Sequence, residues 1–251
     1  MIVRCLTLLA LLLCPLSAMA LDACPHHTLA PMPLRASKLA VDGNAELTVV
    51  AIGSSSTQGW SASDIAHGYP AQLQDDLTAA LPNSHIAILN RGIGGQDAAE
   101  MVPRLERDVI DVHPSLVIWQ VGANGAMRQA NPEEFERLVA NGVKRLQRAK
   151  IDVILMSNQR SPAILSSPEH RRIEQALAIV ARQTGAGLFD RGAVMDEWRA
   201  EGHPYAEFVS NDGIHHNDFG YRCVAAALAQ DIIGGLEPDQ TRTVHAASAL
   251  R

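Results

Sequence analysis

The sequence predicts one α/β domain of three layers, in which helices cover both faces of a central parallel sheet of five strands. Three observations support this fold class. Short segments that are apolar throughout recur along the chain, segments with helical spacing separate them, and glycine-marked polar loops follow several of them. Strands that are apolar on both faces belong in a sheet covered on both sides, and their alternation with helices indicates βαβ units. Right-handed crossovers then place the helices in two outer layers.

The predicted strands are runs of four to eight residues rich in Val, Ile and Leu. This composition is typical of strands in a buried parallel sheet. The five segments are residues 46–53, 85–90, 115–122, 152–157 and 187–190.

Five helices are predicted from apolar residues at helical spacing. Pro103 is expected to kink the second helix, since proline removes a backbone donor. Asn131 and Pro132 provide the N-cap and first-turn proline of the third, Gly185 ends the fourth, and a glycine pair is expected to end the last. The predicted helices are residues 69–81, 98–110, 131–150, 168–185 and 217–235.

The first twenty residues have the layout of a secretory signal peptide. Arg4 precedes an apolar stretch, and Ala18-Met19-Ala20 forms a small-x-small cleavage site. A retained N-terminal anchor helix is the alternative, although the run is short for a membrane span. Acylation of Cys24 is disfavoured because Asp22 precedes it. We therefore expect a secreted or periplasmic protein, with no stable membrane insertion after cleavage.

Two segments flank the predicted domain of residues 46–235. Residues 21–45 are rich in Pro, His and small polar residues and show no period, so they are predicted to form an irregular leader. Residues 236–251 form a polar tail. Cleavage would leave two cysteines, Cys24 and Cys223, which can pair in an oxidising compartment and tie the leader to the last helix. Two unpaired buried thiols are the alternative.

The composition limits the classes of partner. The chain of 251 residues is 47% hydrophobic and 19% charged, with a formal net charge of −6. Nucleic-acid binding normally needs a basic face, so this charge argues against a nucleic-acid partner. The sequence leaves the oligomeric state open.

Four polar loops follow predicted strands or precede the last helix. In open α/β sheets, ligands bind outside the carboxyl ends of the strands, so these loops are expected to converge. They are residues 53–59 (GSSSTQG), 90–95 (NRGIGG), 122–125 (GANG) and 212–217 (DGIHHN).

These four loops resemble, in order, the sequence blocks of the SGNH hydrolases, also called the GDSL esterase/lipase superfamily. The resemblance covers residues 46 to about 233 and implies the flavodoxin-like fold of that superfamily. It places the nucleophile on Ser55 and the Asp-x-x-His pair on Asp212 and His215. It also implies an oxyanion hole formed by the backbone N–H groups of Ser55 and Gly95 and the side chain of Asn124.

Two positions depart from the superfamily pattern. Ser54 replaces the aspartate that usually precedes the nucleophile, and Gly125 replaces an aspartate that often follows the asparagine. Neither position carries a reacting group in the superfamily mechanism. Both replacements are expected to affect loop rigidity.

The residue types fit this chemistry on physical grounds. A serine hydroxyl is a weak nucleophile and needs a base, and His215 is a suitable one because histidine is the side chain most often used as a general base near neutral pH. Asp212, three residues earlier, can orient that imidazole and stabilise its cation. Preorganised N–H donors stabilise the oxyanion of the tetrahedral intermediate.

Other motifs fit less well. The first loop lacks the lysine of a P-loop, and Asp97 stands where a dinucleotide fingerprint needs its third glycine. The Gly-x-Ser-x-Gly elbow of α/β-hydrolases is absent around Ser55. The histidine doublets at 26–27 and 215–216 lack further ligands, so no metal site is predicted.

The sequence therefore predicts an exported serine esterase that needs no cofactor. The expected substrate is a small-molecule or polysaccharide ester, such as an acetylated carbohydrate or a short acyl ester. Trp60 is a candidate substrate-binding residue, with ordinary loop packing as the alternative. An O-acyltransferase using the same site and an inactive carbohydrate- or envelope-binding protein remain alternatives.

Overall fold

The computed structural model of the protein describes residues 24–30 and 32–237. The predicted signal peptide, residues 1–20, and nearly all of the predicted polar tail lie outside the described residues. Within the described ranges, no helix combines the length and the hydrophobicity needed to cross a bilayer.

A single sheet of five parallel strands forms the centre of the domain, as predicted. The strand order is β2-β1-β3-β4-β5, which is the flavodoxin-like arrangement with its switch point between β1 and β3. The register aligns Gly53 with Gly92 and Val49 with Leu116. The strands are β1 (Leu47–Gly53), β2 (Ile86–Gly92), β3 (Leu116–Gln120), β4 (Asp152–Met156) and β5 (Gly187–Phe189).

The helices include all five predicted segments, although one of them is divided. Single turns of 3₁₀ helix cover Ile65–His67, Val102–Arg104, Ile110–Val112 and Tyr205–Glu207. The α-helices are α1 (Arg35–Asp42), α2 (Ser55–Gln58), α3 (Tyr69–Ala80), α4 (Ala98–Met101), α5 (Leu105–Asp108), α6 (Ala123–Met127), α7 (Pro132–Arg148), α8 (Pro162–Leu165), α9 (His170–Thr184), α10 (Arg191–Ala200) and α11 (Asp218–Leu236).

Apolar clusters on both faces of the sheet form the core. Alternate residues of β1 enter different clusters, because successive strand side chains point to opposite faces. Val49 and Ala51 pack with residues of α3, α10 and α11. Val50 and Ile52 pack with residues of α4, α5, α7 and α9. The sheet is therefore covered on both sides, and the predicted three-layer architecture is confirmed.

The sequence predicts an irregular leader, but part of the leader forms a helix. Residues 35–42 form α1, which the backbone N–H and hydroxyl of Ser37 attach to Asp152 Oδ2 at the start of β4, each at 2.8 Å. These long-range contacts stabilise a helix that has no N-terminal side-chain cap and no acidic residue in its first turn. The leader also explains Gly235, where a Cβ atom would meet the carbonyl of Met32 at 2.7 Å. Gly235 therefore has a role in packing. Helix α11 does not end at the glycine pair, where the sequence predicts its end, but continues to Leu236.

Two further helical segments differ from the prediction. The predicted helix over 98–110 is divided into α4, α5 and two 3₁₀ turns, and Pro103 lies in the first of those turns. Helix α10 was not predicted at all. Its N-cap, Asp190, accepts a hydrogen bond from the N–H of Ala193, although the sequence places it at the end of a strand.

A disulfide joins Cys24 of the leader to Cys223 in α11, across a sequence separation of 199 residues. The structure therefore selects the bridge over two free thiols. Neighbouring leader residues contact the same region, since His27 Nε2 lies 3.1 Å from Asp231 Oδ1 and the N–H of Thr28 donates to Glu197 Oε2. The leader is thus attached to both α10 and α11.

Candidate active site

The predicted site residues converge at the carboxyl edge of the sheet, beside the switch point between β1 and β3. Ser55 begins α2, two residues after β1, and Asn124 lies in α6 after β3. The loop that carries Asp212 and His215 runs directly into α11, whose N-cap is Asn217. The chain thereby brings Ser55 and His215, which are 160 residues apart in sequence, into contact.

Ser55, His215 and Asp212 form a continuous chain of hydrogen bonds. Ser55 Oγ lies 2.7 Å from His215 Nε2, and His215 Nδ1 lies 2.6 Å from Asp212 Oδ2. This arrangement matches the geometry of a serine, a general base and an orienting carboxylate. The Ser55 hydroxyl can therefore lose its proton to His215 while Asp212 stabilises the resulting cation.

The carboxylate of Asp212 is held in its ionised form. Partial burial raises its pKa, but hydrogen bonds from His215, from the Ser210 hydroxyl and from the backbone N–H groups of Ile214 and His215 outweigh that effect, so the pKa lies well below its usual range. Ser61 also donates to Asp212 Oδ2 at 2.7 Å. An anion at this position keeps the Nδ1 proton of His215 in place.

Three N–H donors border the space in front of Ser55. Neither the backbone N–H of Ser55 nor that of Gly95 donates to another atom within the described part of the chain. Asn124 Nδ2 uses one hydrogen to bond the carbonyl of Gln96 at 2.9 Å, which orients the amide and leaves its second hydrogen available. Together these groups have the composition of an oxyanion hole.

Two glycines give the oxyanion loops their shape. Gly95 has φ +81° and Gly122, the N-cap of α6, has φ +122°. Both values lie in the region that residues with a Cβ atom rarely adopt. A side chain at Gly122 would also meet Asn158 Oδ1 at 2.9 Å. These positions therefore fix the loops that carry the Gly95 N–H and the Asn124 amide.

An open cleft of about 590 Å³ contains the predicted site. Trp60 borders it, with 56% of its surface exposed and its ring centroid 5.9 Å from that of His215. The structure thus places Trp60 at the cleft and not in a packed loop. The cleft is lined by Ser55, Gln58, Trp60, Ile93, Gly94, Gly95, Asn124, Met127, Ile214 and His215.

Ser54, which stands where the superfamily usually has aspartate, is buried and hydrogen-bonded to Gln120. Gln120 Oε1 accepts hydrogen bonds from the Ser54 backbone N–H at 2.9 Å and from its hydroxyl at 3.0 Å. The Thr57 hydroxyl donates to the same oxygen at 3.2 Å. The buried end of β3 therefore anchors the turn that presents Ser55.

Some supporting residues had no clear signal in the sequence. Gln58 Oε1 accepts hydrogen bonds from the Gly94 N–H at 2.7 Å and from Trp60 Nε1 at 3.1 Å, which joins two walls of the cleft. Arg191 is fully buried behind the nucleophile turn. Gln58 lies in the first polar loop without a predicted role, and Arg191 lies outside all four loops, so only the folded contacts reveal what the two side chains do.

Other candidate sites contain none of the predicted residues. A second cleft of about 580 Å³ is lined by residues of α8, α9 and α10. Arg160, which precedes α8 and also lines this cleft, is already paired with Glu174 and Asp196. Among residues 24–30 and 32–237, no group of three or more His, Cys, Asp and Glu side chains is placed to hold a metal ion.

Comparison with known proteins finds similarity to ester hydrolases, both in sequence and in fold. An acetylxylan esterase from Geobacillus stearothermophilus is 24% identical over 181 residues, covering 66% of this chain and 80% of that protein. The crystal structure of that enzyme aligns with a TM-score of 0.64 over 74% of this chain and 93% of its own.

Two further structures share the fold. An alpha/beta hydrolase from the metagenome of Lake Arreo, Spain, aligns with a TM-score of 0.65 at 24% identity, covering 76% of this chain and 97% of its own. A two-domain esterase active on acetylated mannans aligns with a TM-score of 0.70 at 20% identity, covering 84% of this chain and 56% of its own. Residues 22–238 match the non-GDSL lipase-like family, and because that match spans most of the chain, the protein belongs to this family.

Proposed function

We propose that this protein is a serine esterase of the SGNH type that removes short acyl groups, acetyl above all, from carbohydrate esters. The observation that carries the proposal is the hydrogen-bond chain from Ser55 through His215 to Asp212, beside the N–H donors of the candidate oxyanion hole. The similar acetylxylan esterase supports the substrate class. Two structures of that enzyme are described as catalytic mutants, one with a serine and one with a histidine replaced by alanine.

The first half of the reaction forms an acyl-enzyme. Ser55 Oγ attacks the carbonyl carbon of the ester while His215 Nε2 takes the hydroxyl proton. The negative charge that develops on the carbonyl oxygen is stabilised by the N–H groups of Ser55, Gly95 and Asn124. The bond to the leaving oxygen then breaks, and His215 donates its proton to the departing alcohol.

The second half restores the enzyme. A water molecule attacks the acyl carbon, and His215 Nε2 accepts a proton from it. The tetrahedral intermediate collapses, Ser55 Oγ leaves and takes the proton back from His215, and the carboxylic acid departs. Each step uses groups of this chain together with the ester and water, so no cofactor is needed.

The lining of the cleft suits an acyl group attached to a sugar. Its walls are largely apolar, with Ile93, Met127 and Ile214 around the reacting centre. The exposed indole of Trp60 at the margin offers a flat surface on which a sugar ring can stack.

A fluorophosphonate probe tests the proposed nucleophile. The wild type should be labelled and should hydrolyse nitrophenyl acetate and acetylated xylan, whereas Ser55→Ala should do neither. Ser54→Ala is the matched control, because its hydroxyl bonds Gln120 and not His215. That variant should retain labelling. Absence of labelling in the wild type would reject the esterase and favour an inactive binding protein.

We also propose that the protein acts outside the cytoplasm. The disulfide between Cys24 and Cys223 supports this location, since such bonds persist in oxidising compartments. Cell fractionation followed by thiol alkylation tests it. Recovery of reduced Cys24 and Cys223 in the cytoplasmic fraction would reject the proposal.

A further inference from the structure

Arg191, the first residue of α10, is a charged side chain with no exposed surface. Its hydrogen-bond partners within the described part of the chain are all neutral. Removing a guanidinium from water without a carboxylate partner is costly, so its hydrogen bonds must compensate. The arrangement of those bonds indicates what the buried charge is for.

The guanidinium of Arg191 reaches two different loops of the site. Its Nη1 donates to Ser56 Oγ at 2.7 Å, in the turn that carries the nucleophile. Its Nη2 donates to Gln159 Oε1 at 2.5 Å, and its Nε donates to the carbonyl of Ser157 at 3.2 Å. The planar fork of an arginine fixes the directions of these bonds, which a lysine cannot do.

Gln159 continues this chain of hydrogen bonds to the second catalytic loop. Its Nε2 donates to the carbonyl of Ile214 at 2.7 Å. Ser56 directly follows the nucleophile Ser55, and Ile214 directly precedes the base His215. We call these four residues, Ser56, Arg191, Gln159 and Ile214, the Arg191 network.

We propose that Arg191 is a positioning residue that sets the distance between Ser55 Oγ and His215 Nε2 by holding Ser56 and Gln159 at once. The inference rests on the proposed esterase function and adds to it a device outside the triad. The two loops belong to distant parts of the chain, and the buried side chains of Ser56, Arg191 and Gln159 join them. A rigid connection of this kind keeps reacting groups in productive geometry.

The environment of Arg191 is consistent with this role. Burial and the nearby charge of Arg191 lower the pKa of His216 to about 3. His216 therefore stays neutral and donates its Nδ1 proton to the carbonyl of Phe208 at 2.9 Å. The imidazole next to the base thus adds no charge that would oppose formation of the His215 cation.

Ser56 and Gln159 are the two side chains that accept hydrogen bonds from Arg191. A double-mutant cycle on them tests whether Arg191 connects the two catalytic loops. Ser56 and Gln159 are joined through Arg191, so breaking either contact should break the same connection. Ser56→Ala and Gln159→Met should each lower kcat by roughly tenfold, and KM should stay nearly constant. The double variant should lose about the same as either single variant, and not the roughly 100-fold expected of independent effects.

Two arginine substitutions separate positioning from folding. Arg191→Lys keeps a nitrogen donor at the end of a long side chain but loses the fork, so kcat should fall by about 10²-fold with a folded protein. Arg160→Met is the matched control, because Arg160 pairs with Glu174 and Asp196 and contacts neither catalytic loop. It should lower the melting temperature while kcat is maintained.

Hydrogen exchange provides a readout that does not require activity. In Gln159→Met and in Arg191→Lys, amide exchange should accelerate together in residues 54–58 and 212–216, whereas Arg160→Met should change neither segment. Unchanged exchange in either segment, or multiplicative losses of kcat in the double variant, would overturn the role of Arg191. A wild type that lacks hydrolysis would reject the proposed function instead, and the exchange result would still decide the connection.

Discussion

Removal of the disulfide should lower the free energy of unfolding more than any other single contact of the leader. The perturbation is Cys24→Ala, which leaves Cys223 buried in α11. A crosslink stabilises a protein mainly because it restricts the unfolded chain, and the effect grows with the length of the closed loop. Here the bonded residues are 199 positions apart, so nearly the whole described domain lies within the loop.

The expected magnitude follows from that separation. Loop-closure entropy for a segment of this length corresponds to about 5 kcal/mol at 25 °C, and measured losses for native disulfides are about 2–5 kcal/mol. The leader also supplies the His27–Asp231 contact and the N–H of Thr28 to Glu197. These contacts are weakened when the covalent attachment is lost, so we expect a decrease near the upper end of the range.

Urea unfolding followed by circular dichroism measures the decrease. The wild type treated with a phosphine reductant should match Cys24→Ala, and the reductant should have no further effect on the variant. Under conditions in which the variant is folded, hydrolysis of nitrophenyl acetate should be close to that of the wild type. Equal free energies of unfolding for the oxidised wild type and the variant would refute the loop-closure argument.

Three further predictions concern the site. Asn124→Ala removes one oxyanion donor and should lower kcat by about 10²–10³-fold with little change in folding, as measured by steady-state kinetics and melting temperature. Trp60→Ala should raise KM for acetylated xylan with kcat nearly unchanged, while KM for ethyl acetate, which has neither a sugar nor an aromatic ring to stack, should change little. His216 has a native pKa of about 3 against an ordinary 6.5. Between these values the unfolded chain binds a proton that the native state does not, so stability falls as the pH drops, by about 3 kcal/mol at pH 4.5. His216→Asn keeps a donor for the carbonyl of Phe208 and should flatten that dependence in urea titrations; an unchanged slope would contradict it.

The elements that the sequence predicts well are those whose signal is local. The inner strands β1, β3 and β4 are mostly buried and largely apolar, as expected for a parallel sheet covered on both faces, whereas the edge strand β2 is only partly buried. Helix α7 begins at Asn131 and Pro132 as predicted, and the Asn131 side chain accepts from the N–H of Glu134. The fourth predicted helix ends at Gly185, which has φ +70°. In these cases the residues that determine the structure are close neighbours in the chain.

The elements that were missed depend on distant contacts. Helix α1 is attached by Ser37 to Asp152, which lies 115 residues away. Helix α10 begins at Arg191, a residue type that composition alone would place at the surface. The predicted end of α11 at its glycines was wrong because Gly235 serves close packing against Met32 and does not terminate the helix. No local pattern encodes these relationships.

The residues of the site likewise fall into those that the sequence predicts and those that only the folded chain reveals. This difference has a physical reason. Groups that react must be of particular chemical types, so Ser55, Asp212, His215 and Asn124 can be recognised from residue type, order and position after predicted strands. The groups that hold them in place are not confined to one residue type, so their identity cannot be recognised from a motif. Gln120 anchors the turn before Ser55 and Gln159 reaches the loop before His215 through amide groups that carry no motif. Recognition of a catalytic set from sequence therefore gives its chemistry, whereas the precision of that set depends on buried polar contacts that only the folded chain defines.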